Sequence, residues 1–246
     1  MVDEIIMWLT DKIDDNPVGG KAKNLAKMIQ LGFPVPKGFV ITEEKLSAAT
    51  KNKIVKNFRK LLEEYQSVSV RSSANFEDSE RASFTGVFKT SLWVKDEKKL
   101  ISSIRECLNS AKNQNTRIYC EKHEMKPEEI KMSVIVQGMI DADKSGVIFT
   151  KNILENGNSS LMIEVSKGIG SNVVDGTGMP SRFVVDKLQG NILEKNVNDA
   201  DLADEDILCL VRFAELLEKH FESPQDIEWA MKENEIYLLQ SRPITR

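Results

Sequence analysis

The sequence predicts a mixed α+β protein of two lobes, with mostly antiparallel strand pairing. Three observations predict this class. Apolar residues recur at helical spacing in several segments, short apolar or alternating runs lie between turn residues, and the last two such runs form a hairpin pattern. The 246 residues suffice to bury a core in each lobe. We expect the division near Gly138, with lobes 1–137 and 138–246.

The elements of the first lobe follow from these periodicities. Gly19 and Gly20 lie in a turn-rich segment before a helix, and Gly32 is the expected residue just past the end of that helix. In chain order, the predicted elements are strands at 4–9, 39–42, 68–73 and 84–94 and helices at 21–31, 51–65 and 97–119.

Two strands on either side of the lobe boundary are predicted to form a hairpin across residues 141–144. Further strands follow on either side of a glycine-rich loop, and one amphipathic helix precedes the last hairpin. The predicted elements are strands at 131–139, 145–150, 161–165 and 181–186, a helix at 202–220, and two terminal strands.

The terminal hairpin carries the most specific prediction. A three-residue turn at 233–235 places Glu228 opposite Gln240, with Arg242 one step further on the same face, whereas a two-residue turn would move Gln240 to the other face. Carboxylate and amide oxygens suit Mg²⁺, and a guanidinium group suits phosphate. The pairs predicted on the apolar face are Trp229–Leu239 and Met231–Tyr237.

Composition argues against several classes of protein. The net charge is −4, with both signs interleaved, which disfavours nucleic-acid binding. No apolar run is long enough to cross a membrane, and the N-terminus has acids where a signal peptide has bases. None of the three cysteines forms a CxxC pair, which is typical of reduced thiols. We therefore expect a cytoplasmic protein.

Besides Arg242, two further cationic residues are candidates for phosphate binding. Lys21 follows two glycines at a helix start, where free N–H groups attract anions, although a tight turn with a solvated lysine gives the same pattern. Arg71 ends a strand, where it can bind phosphate or pair with one of the nearby acids, Glu77, Asp78 or Glu80.

Two further segments have weaker patterns. The loop 81–86, which ends at Gly86, can offer N–H groups to a polyphosphate, or it can be a plain β-turn. Glu164 ends an apolar strand, where it is either a site residue or a solvated acid. The loop lacks the Walker A pattern, and no GxGxxG follows a strand, so the set of candidates points to ATP and away from a nicotinamide dinucleotide.

These motifs, in this order, resemble the nucleotide-binding domain of phosphoenolpyruvate synthase, pyruvate phosphate dikinase and rifampin phosphotransferase. That domain has the ATP-grasp fold, in which two lobes enclose an ATP cleft. The resemblance spans nearly the whole chain, and the matching segments are 19–26, 32–42, 70–74, 82–86, 136–139, 146–150, 168–170, 226–229 and 239–243.

The resemblance implies a role for each position and two cofactors, ATP and Mg²⁺. Glu228 and Gln240 would hold the metal, and Arg242, like Arg71, would act in phosphoryl transfer. The residues implied to bind ATP are Lys21 and Arg71 at the phosphates, Gly86 and Thr90 in or beside the phosphate loop, the backbone from Gln137 to Met139 at adenine, and Glu164 on the ribose side.

The resemblance also implies a partner. In this family ATP phosphorylates a histidine on a swivelling domain, but neither His123 nor His220 has the expected sequence context. We therefore expect a phosphohistidine domain and an acceptor-binding domain on another chain or outside this sequence. The alternatives are a drug or phenol phosphotransferase, as in rifampin phosphotransferase or phenylphosphate synthase, and a non-catalytic ATP-binding partner protein. Ser171 departs from the family glutamate, and the region between Thr42 and Val68 is short.

Overall fold

The computed structural model describes residues 5–13, 18–42, 46–75, 77, 88–122, 125–153, 159–169 and 179–244. The chain divides into two compact units. Unit 1 contains residues 1–31 and 36–139, and unit 2 contains residues 32–35 and 140–246. The division therefore follows Met139, and the short segment Gly32–Val35 belongs with the C-terminal unit.

Unit 1 is built on a five-stranded antiparallel sheet with the order β1-β2-β5-β3-β4. Its strands are β1 (Ile6–Trp8), β2 (Gly38–Ile41), β3 (Val68–Ala74), β4 (Thr90–Val94) and β5 (Met132–Gly138). Its helices within the described residues are α1 (Gly19–Gln30), α2 (Ala48–Leu62), α3 (Glu97–Ser110) and α4 (Gln114–Lys122), with a 3₁₀ turn at Pro127–Glu129.

The two faces of this sheet have different roles. One face supplies Val70 and Val136 to a core that also contains Phe58 of α2 and Ile104 of α3. Side chains alternate along a strand, so Arg71 of β3 lies on the opposite face. Helix α1 packs against β3 on that side, which brings the glycine-rich helix start close to the end of β3.

Unit 2 is built on a six-stranded antiparallel sheet with the order β11-β10-β6-β7-β8-β9. Helix α5 (Asp204–Phe221) contacts β10 and β6, and its apolar side is buried. Ile227 and Trp229 of β10 are also almost fully buried. The strands are β6 (Lys144–Phe149), β7 (Ser160–Lys167), β8 (Ser181–Asp186), β9 (Ile192–Asn196), β10 (Gln225–Lys232) and β11 (Glu235–Pro243).

The predicted hairpin between residues 131 and 150 is wrong. Strand β5 has β2 and β3 on its two sides, so it has no free edge for β6, which pairs with β10 and β7. None of the helices in the described ranges combines the length and apolarity needed to cross a bilayer.

The predicted helix 97–119 is two helices. Helix α3 ends at Ser110, and the side chain of Asn113 then accepts the N–H of Thr116, as an N-cap residue does for a new helix. The sequence did not predict β9, and only residues 90–94 of the predicted strand 84–94 are a strand in the described part of the chain.

Candidate functional site

The hairpin of β10 and β11 presents four polar side chains on one face. Glu228 pairs directly with Gln240, and Asp226 pairs directly with Arg242. Direct partners on antiparallel strands share a face, and so do residues two apart on one strand. The four side chains therefore lie together, on the face opposite the buried Trp229.

The turn of this hairpin has two residues, so the predicted three-residue turn is wrong. Lys232 pairs with Glu235, which leaves Glu233 and Asn234 as the turn. Their φ angles are 52° and 66°. Positive φ at both central positions is typical of a type I′ turn, whose twist matches that of the flanking strands.

A β-bulge keeps Gln240 on the predicted face in spite of the shorter turn. The register shifts between Glu228 and Trp229, so Leu239 is an extra residue on β11. This shift offsets the missing turn residue, and the predicted Glu228–Gln240 pairing is correct. The two pairs predicted between bulge and turn are wrong: the observed partners are Trp229–Leu238 and Met231–Ile236.

A pocket of about 270 Å³ in unit 2 has Glu228 and Glu164 in its lining. Pairing runs from Glu228 to Val147 and from Val147 to Glu164, so both carboxylates lie on the same face of the sheet. The backbone positions of Glu228 and Glu164 are two strand spacings apart, or about 9–10 Å. The pocket therefore has an acid on each side of an apolar residue.

Glu164 is engaged with Arg182, its direct partner on β8. The guanidinium donates from Nη2 and Nε to Oε1 of Glu164 at 2.9 and 3.3 Å. The Glu164 side chain is 19% exposed. The interpretation of Glu164 as a solvated acid is therefore wrong.

Arg242 is held by Asp226, whose side chain is 12% exposed. Its Nε and Nη2 both donate to Oδ2 of Asp226. Burial raises the pKa of Asp226 above its ordinary value, although the nearby charge of Arg242 acts in the opposite direction. The carboxylate thus fixes the direction in which the guanidinium group points.

The donor set on this face fits a magnesium ion that binds together with phosphate. Within the described ranges, no three His, Cys, Asp or Glu side chains are placed to hold a metal by themselves. Glu228 and Gln240 are direct partners on paired strands and are the residues that could hold the metal, through one carboxylate and one amide oxygen. Proteins usually bind Mg²⁺ through one or two carboxylates, with substrate phosphates and water as the other ligands.

Lys21 lies in the first turn of α1 as half of a buried ion pair. Its Nζ is 3.0 Å from Oε1 of Glu77, and the two side chains are 8% and 7% exposed. The other oxygen of Glu77 accepts the N–H of Ala74 at 3.0 Å. The interpretation of Lys21 as a solvated turn residue is therefore wrong.

Arg71 and Thr90 are direct partners on β3 and β4 and share a face. Ser73 lies two residues beyond Arg71 on the same face, and its hydroxyl accepts the N–H of Ala22 in α1. The helix that carries Lys21 thus starts on the Arg71 face. Three of the predicted phosphate residues belong to one side of the unit 1 sheet.

The segment from Gln137 to Met139 is closely tied to unit 1. Gln137 is 2% exposed, and its Nε2 donates to the carbonyl of Pro36 at 3.1 Å. The N–H groups of Gly138 and Met139 donate to backbone carbonyls at 2.8 and 3.0 Å. The prediction that this backbone contacts adenine therefore depends on its carbonyl oxygens.

Some predicted contacts cannot be placed. Gly86 and the loop 81–86 lie outside the described residues, and so does Ser171 in the glycine-rich loop. Their predicted roles stay predictions.

Sequence reasoning did not single out Asp226 or Arg182, and it offered Glu77 as a partner of Arg71 but not of Lys21. The signal for Asp226 was present, because it lies two residues before Glu228 and therefore shares its face. The pairing of Glu77 with Lys21 spans 56 residues and has no local signal.

Comparison with protein families gives a match over most of the chain. The matching family is described as "Pyruvate phosphate dikinase, AMP/ATP-binding domain", and it covers residues 15–67, 43–203 and 198–246.

Similar proteins include two bacterial transferases and an archaeal enzyme. The "Uncharacterized phosphotransferase YvkC" of Bacillus subtilis is 32% identical, over 92% of this chain and 33% of its own length. A "Probable phosphoenolpyruvate synthase" of Archaeoglobus fulgidus is 30% identical, over 98% and 41%. The "Prodigiosin synthesizing transferase PigC" of Serratia marcescens is 28% identical, over 95% and 32%. This chain thus spans between a third and two fifths of the length of these relatives.

Solved structures support the fold. The dinucleotide-forming acetyl-coenzyme A synthetase 1 of Ca. Korarchaeum cryptofilum has a TM-score of 0.56 at 11% identity, with 92% of both chains covered. D-alanyl-alanine synthetase A of Vibrio cholerae has a TM-score of 0.51 at 11% identity, with 92% of this chain and 55% of that chain covered. The predicted ATP-grasp fold is confirmed. The chain belongs to the pyruvate phosphate dikinase AMP/ATP-binding domain family.

Proposed function

We propose that this chain binds Mg²⁺-ATP and passes one of its phosphoryl groups to a histidine on another domain or subunit. The observation that carries the proposal is the polar face of the β10–β11 hairpin. There a carboxylate–amide pair lies beside an arginine held by an aspartate. Membership of an AMP/ATP-binding family supports the nucleotide.

In unit 2, Glu228 and Gln240 supply oxygen ligands for the metal, and Arg242 directs its guanidinium group at the phosphates. Bound Mg²⁺ would neutralise part of the triphosphate charge. Glu164 borders the same pocket as Glu228 and is the candidate for the ribose hydroxyls. Phosphoryl transfer depends on positioning and on electrostatic stabilisation, and these residues supply both.

In unit 1, Lys21 and Arg71 are the proposed phosphate ligands. Thr90 is the direct strand partner of Arg71 and adds a hydroxyl on the same face. Gly86 belongs to the proposed phosphate loop, and carbonyl oxygens of residues 137–139 are the candidates for accepting a hydrogen bond from adenine. Arg71 is also the proposed residue of unit 1 that stabilises the transferred charge.

The acceptor histidine is proposed to lie outside this sequence. His220 lies at the exposed end of α5, and the relatives are two to three times as long as the matched region. The names of these relatives differ in product, from phosphoenolpyruvate to prodigiosin, so the final acceptor is left to experiment. A cytoplasmic location is part of the proposal, supported by three unpaired cysteines.

Thermal unfolding with and without Mg²⁺-ATP tests the proposal. Ligand that binds only the folded chain stabilises it by about 2.7 kcal/mol at a hundredfold excess over Kd, so Tm rises. Glu228→Ala should remove the part of the rise that requires magnesium. Glu194→Ala, which changes an exposed acid of the same unit, is the matched control and should behave as wild type.

Two outcomes would count against the proposal. If Mg²⁺-ATP leaves the Tm of the wild type unchanged, nucleotide binding is rejected. If Glu228→Ala retains the full magnesium dependence, Glu228 is not a metal ligand. Transfer itself is tested by incubating the chain with labelled ATP and candidate histidine-domain proteins. A non-catalytic ATP-binding protein would bind the nucleotide without labelling any of them.

A further inference from the structure

We infer that Glu77 is a positioning residue for Lys21, whose ammonium group it holds in place to bind an ATP phosphate. The inference rests on the proposed function, because it takes Lys21 to be a phosphate ligand. The contacts that both side chains make within the chain do not depend on that function.

The burial of this ion pair separates it from the other pairs of unit 1. The side chains of Lys21 and Glu77 are 8% and 7% exposed, whereas those of Arg59 and Glu97 are 69% and 46% exposed. An exposed pair contributes little to stability. A buried lysine without a counter-charge is strongly disfavoured, so Glu77 is what allows the charged ammonium to remain at this position.

Glu77 is itself held by the C-terminal end of strand β3. Its Oε2 accepts the N–H of Ala74 at 3.0 Å, and its own N–H donates to the Ala74 carbonyl at 3.1 Å. The carboxylate therefore has one oxygen bound to backbone and the other 3.0 Å from Nζ of Lys21. This arrangement defines where the tip of the lysine lies relative to β3.

The backbone of Lys21 is held by the same strand end. The Ser73 hydroxyl accepts the N–H of Ala22 at 3.1 Å and donates to the Val18 carbonyl at 2.8 Å. Gly19 approaches Ser73 so closely that a Cβ atom would overlap the Ser73 carbonyl. Both ends of the lysine are thus positioned from the strand that also carries Arg71.

A phosphate-binding lysine gains from such support. Its four-carbon stem has many rotamers, and ordering them on binding costs free energy. An ammonium group has three donors, so a hydrogen bond to Glu77 leaves two for phosphate oxygens. Protein kinases use a lysine–glutamate ion pair for the same purpose.

A double-mutant cycle tests the inference. The variants are Glu77→Gln, Lys21→Met and the double variant, with Glu97→Gln as the matched control at an exposed pair. The amide oxygen of Gln can still accept the Ala74 N–H, so Glu77→Gln removes the charge while keeping the backbone contact. Binding of ATP and of adenosine is measured by calorimetry, since adenosine lacks the phosphates that Lys21 would contact.

We expect Glu77→Gln to weaken ATP binding about 10-fold or more and to leave adenosine binding unchanged. In the Lys21→Met background the same substitution should have no further effect, because Glu77 acts through the lysine. Glu97→Gln should match wild type. If Glu77→Gln does not fold, equal ATP affinities of Lys21→Met and of the double variant support the inference.

The inference is overturned if Glu77→Gln binds ATP as wild type does, or if ATP and adenosine weaken equally. It is also overturned if the losses from Glu77→Gln and Lys21→Met add. The failure of the proposed function has a different signature: Lys21→Met itself would then bind ATP as tightly as wild type.

Discussion

Arg242 donates two hydrogen bonds to one carboxylate oxygen of its cross-strand partner Asp226, at 2.9 and 2.6 Å. The two side chains are 23% and 12% exposed. Burial raises the pKa of Asp226 in spite of the nearby guanidinium, so the ionised pair is kept at a cost in solvation. A pair maintained at such a cost is better explained by orientation of Arg242 than by stabilisation of the fold.

Asp226→Asn should weaken nucleotide binding and also lower stability. The substitution leaves the guanidinium of Arg242 without its carboxylate, and loss of one partner of a buried pair typically costs about 3–5 kcal/mol. Because the Arg242 side chain is 23% exposed, we expect a smaller loss in the free energy of unfolding, of about 1–3 kcal/mol. Loss of the charged acceptor frees Arg242 to leave its position, and Mg²⁺-ATP should bind about 10-fold more weakly. Urea denaturation and calorimetry measure the two quantities.

Asp201→Asn is the control for this prediction, because Asp201 forms an exposed pair with Lys195 in the same unit. It should leave both stability and ATP affinity as in wild type. Unaltered ATP binding by Asp226→Asn would show that Arg242 needs no carboxylate to act on the phosphates.

Gly19→Ala should disrupt the start of α1. Gly19 has a φ of +78°, and an added Cβ would lie 2.5 Å from Oγ of Ser73. Gly32 has a φ of +83° with nothing near its Cβ position, so Gly32→Ala has the backbone strain without the clash. We expect a loss of about 1–2 kcal/mol for Gly32→Ala and a larger loss for Gly19→Ala, with weaker ATP binding only in the latter. Equal losses would show that Ser73 gives way without cost.

In the terminal hairpin, sequence patterns predicted which residues share a face but not the turn or the bulge. Alternation predicted that Glu228 and Gln240 share a face, and the resemblance supported that pairing. The turn itself was not predictable from composition, because Glu233 and Asn234 lack the Asn-Gly signature of a type I′ turn. The turn was predicted one residue too long and the bulge at Leu239 was not predicted. These two errors offset one another, because the bulge restores the register that the shorter turn shifts.

Long-range partners were the least predictable feature. β5 and β6 belong to different sheets because both edges of β5 are already paired with other strands. The local sequence of two neighbouring strands does not show which strand edges are occupied. Similarly, Lys21 gave an ambiguous local pattern. Its burial depends on Glu77, which is brought to the helix only when α1 packs on β3.

Asn234→Gly should stabilise the protein. Asn234 has a φ of 66° at the second turn position, where glycine has no steric penalty. Relief of left-handed strain, about 1–2 kcal/mol, exceeds the roughly 0.4–1 kcal/mol that the greater freedom of glycine in the unfolded chain costs, so we expect the free energy of unfolding to rise by up to about 1 kcal/mol in urea denaturation. Asn191→Gly is the control, because Asn191 is absent from the described residues of positive φ and its side chain donates to Gln189. That variant should be destabilised, and a similar loss in Asn234→Gly would contradict the type I′ assignment.

Cys107 should make the fold sensitive to alkaline pH. Its thiol donates to the carbonyl of Lys89 at 3.2 Å, and burial raises its pKa from 9.0 to about 12. Between these values the unfolded chain loses the thiol proton while the folded chain keeps it. The unfolded state then binds fewer protons, so stability falls as pH rises, by up to about 1.4 kcal/mol per pH unit.

Cys107→Ala should flatten this dependence, whatever constant loss its cavity causes. Urea denaturation at steps between about pH 8 and pH 11 measures the slope for the variant and for wild type. In the native protein a thiol reagent should label the half-buried Cys209 well before Cys107, because Cys107 is buried and its thiolate, the reactive form, is disfavoured there. Parallel stability curves above pH 9 would show that the Cys107 thiol ionises in the folded state near its ordinary pKa of 9.0. Equal labelling rates would show that burial does not protect Cys107 from the reagent.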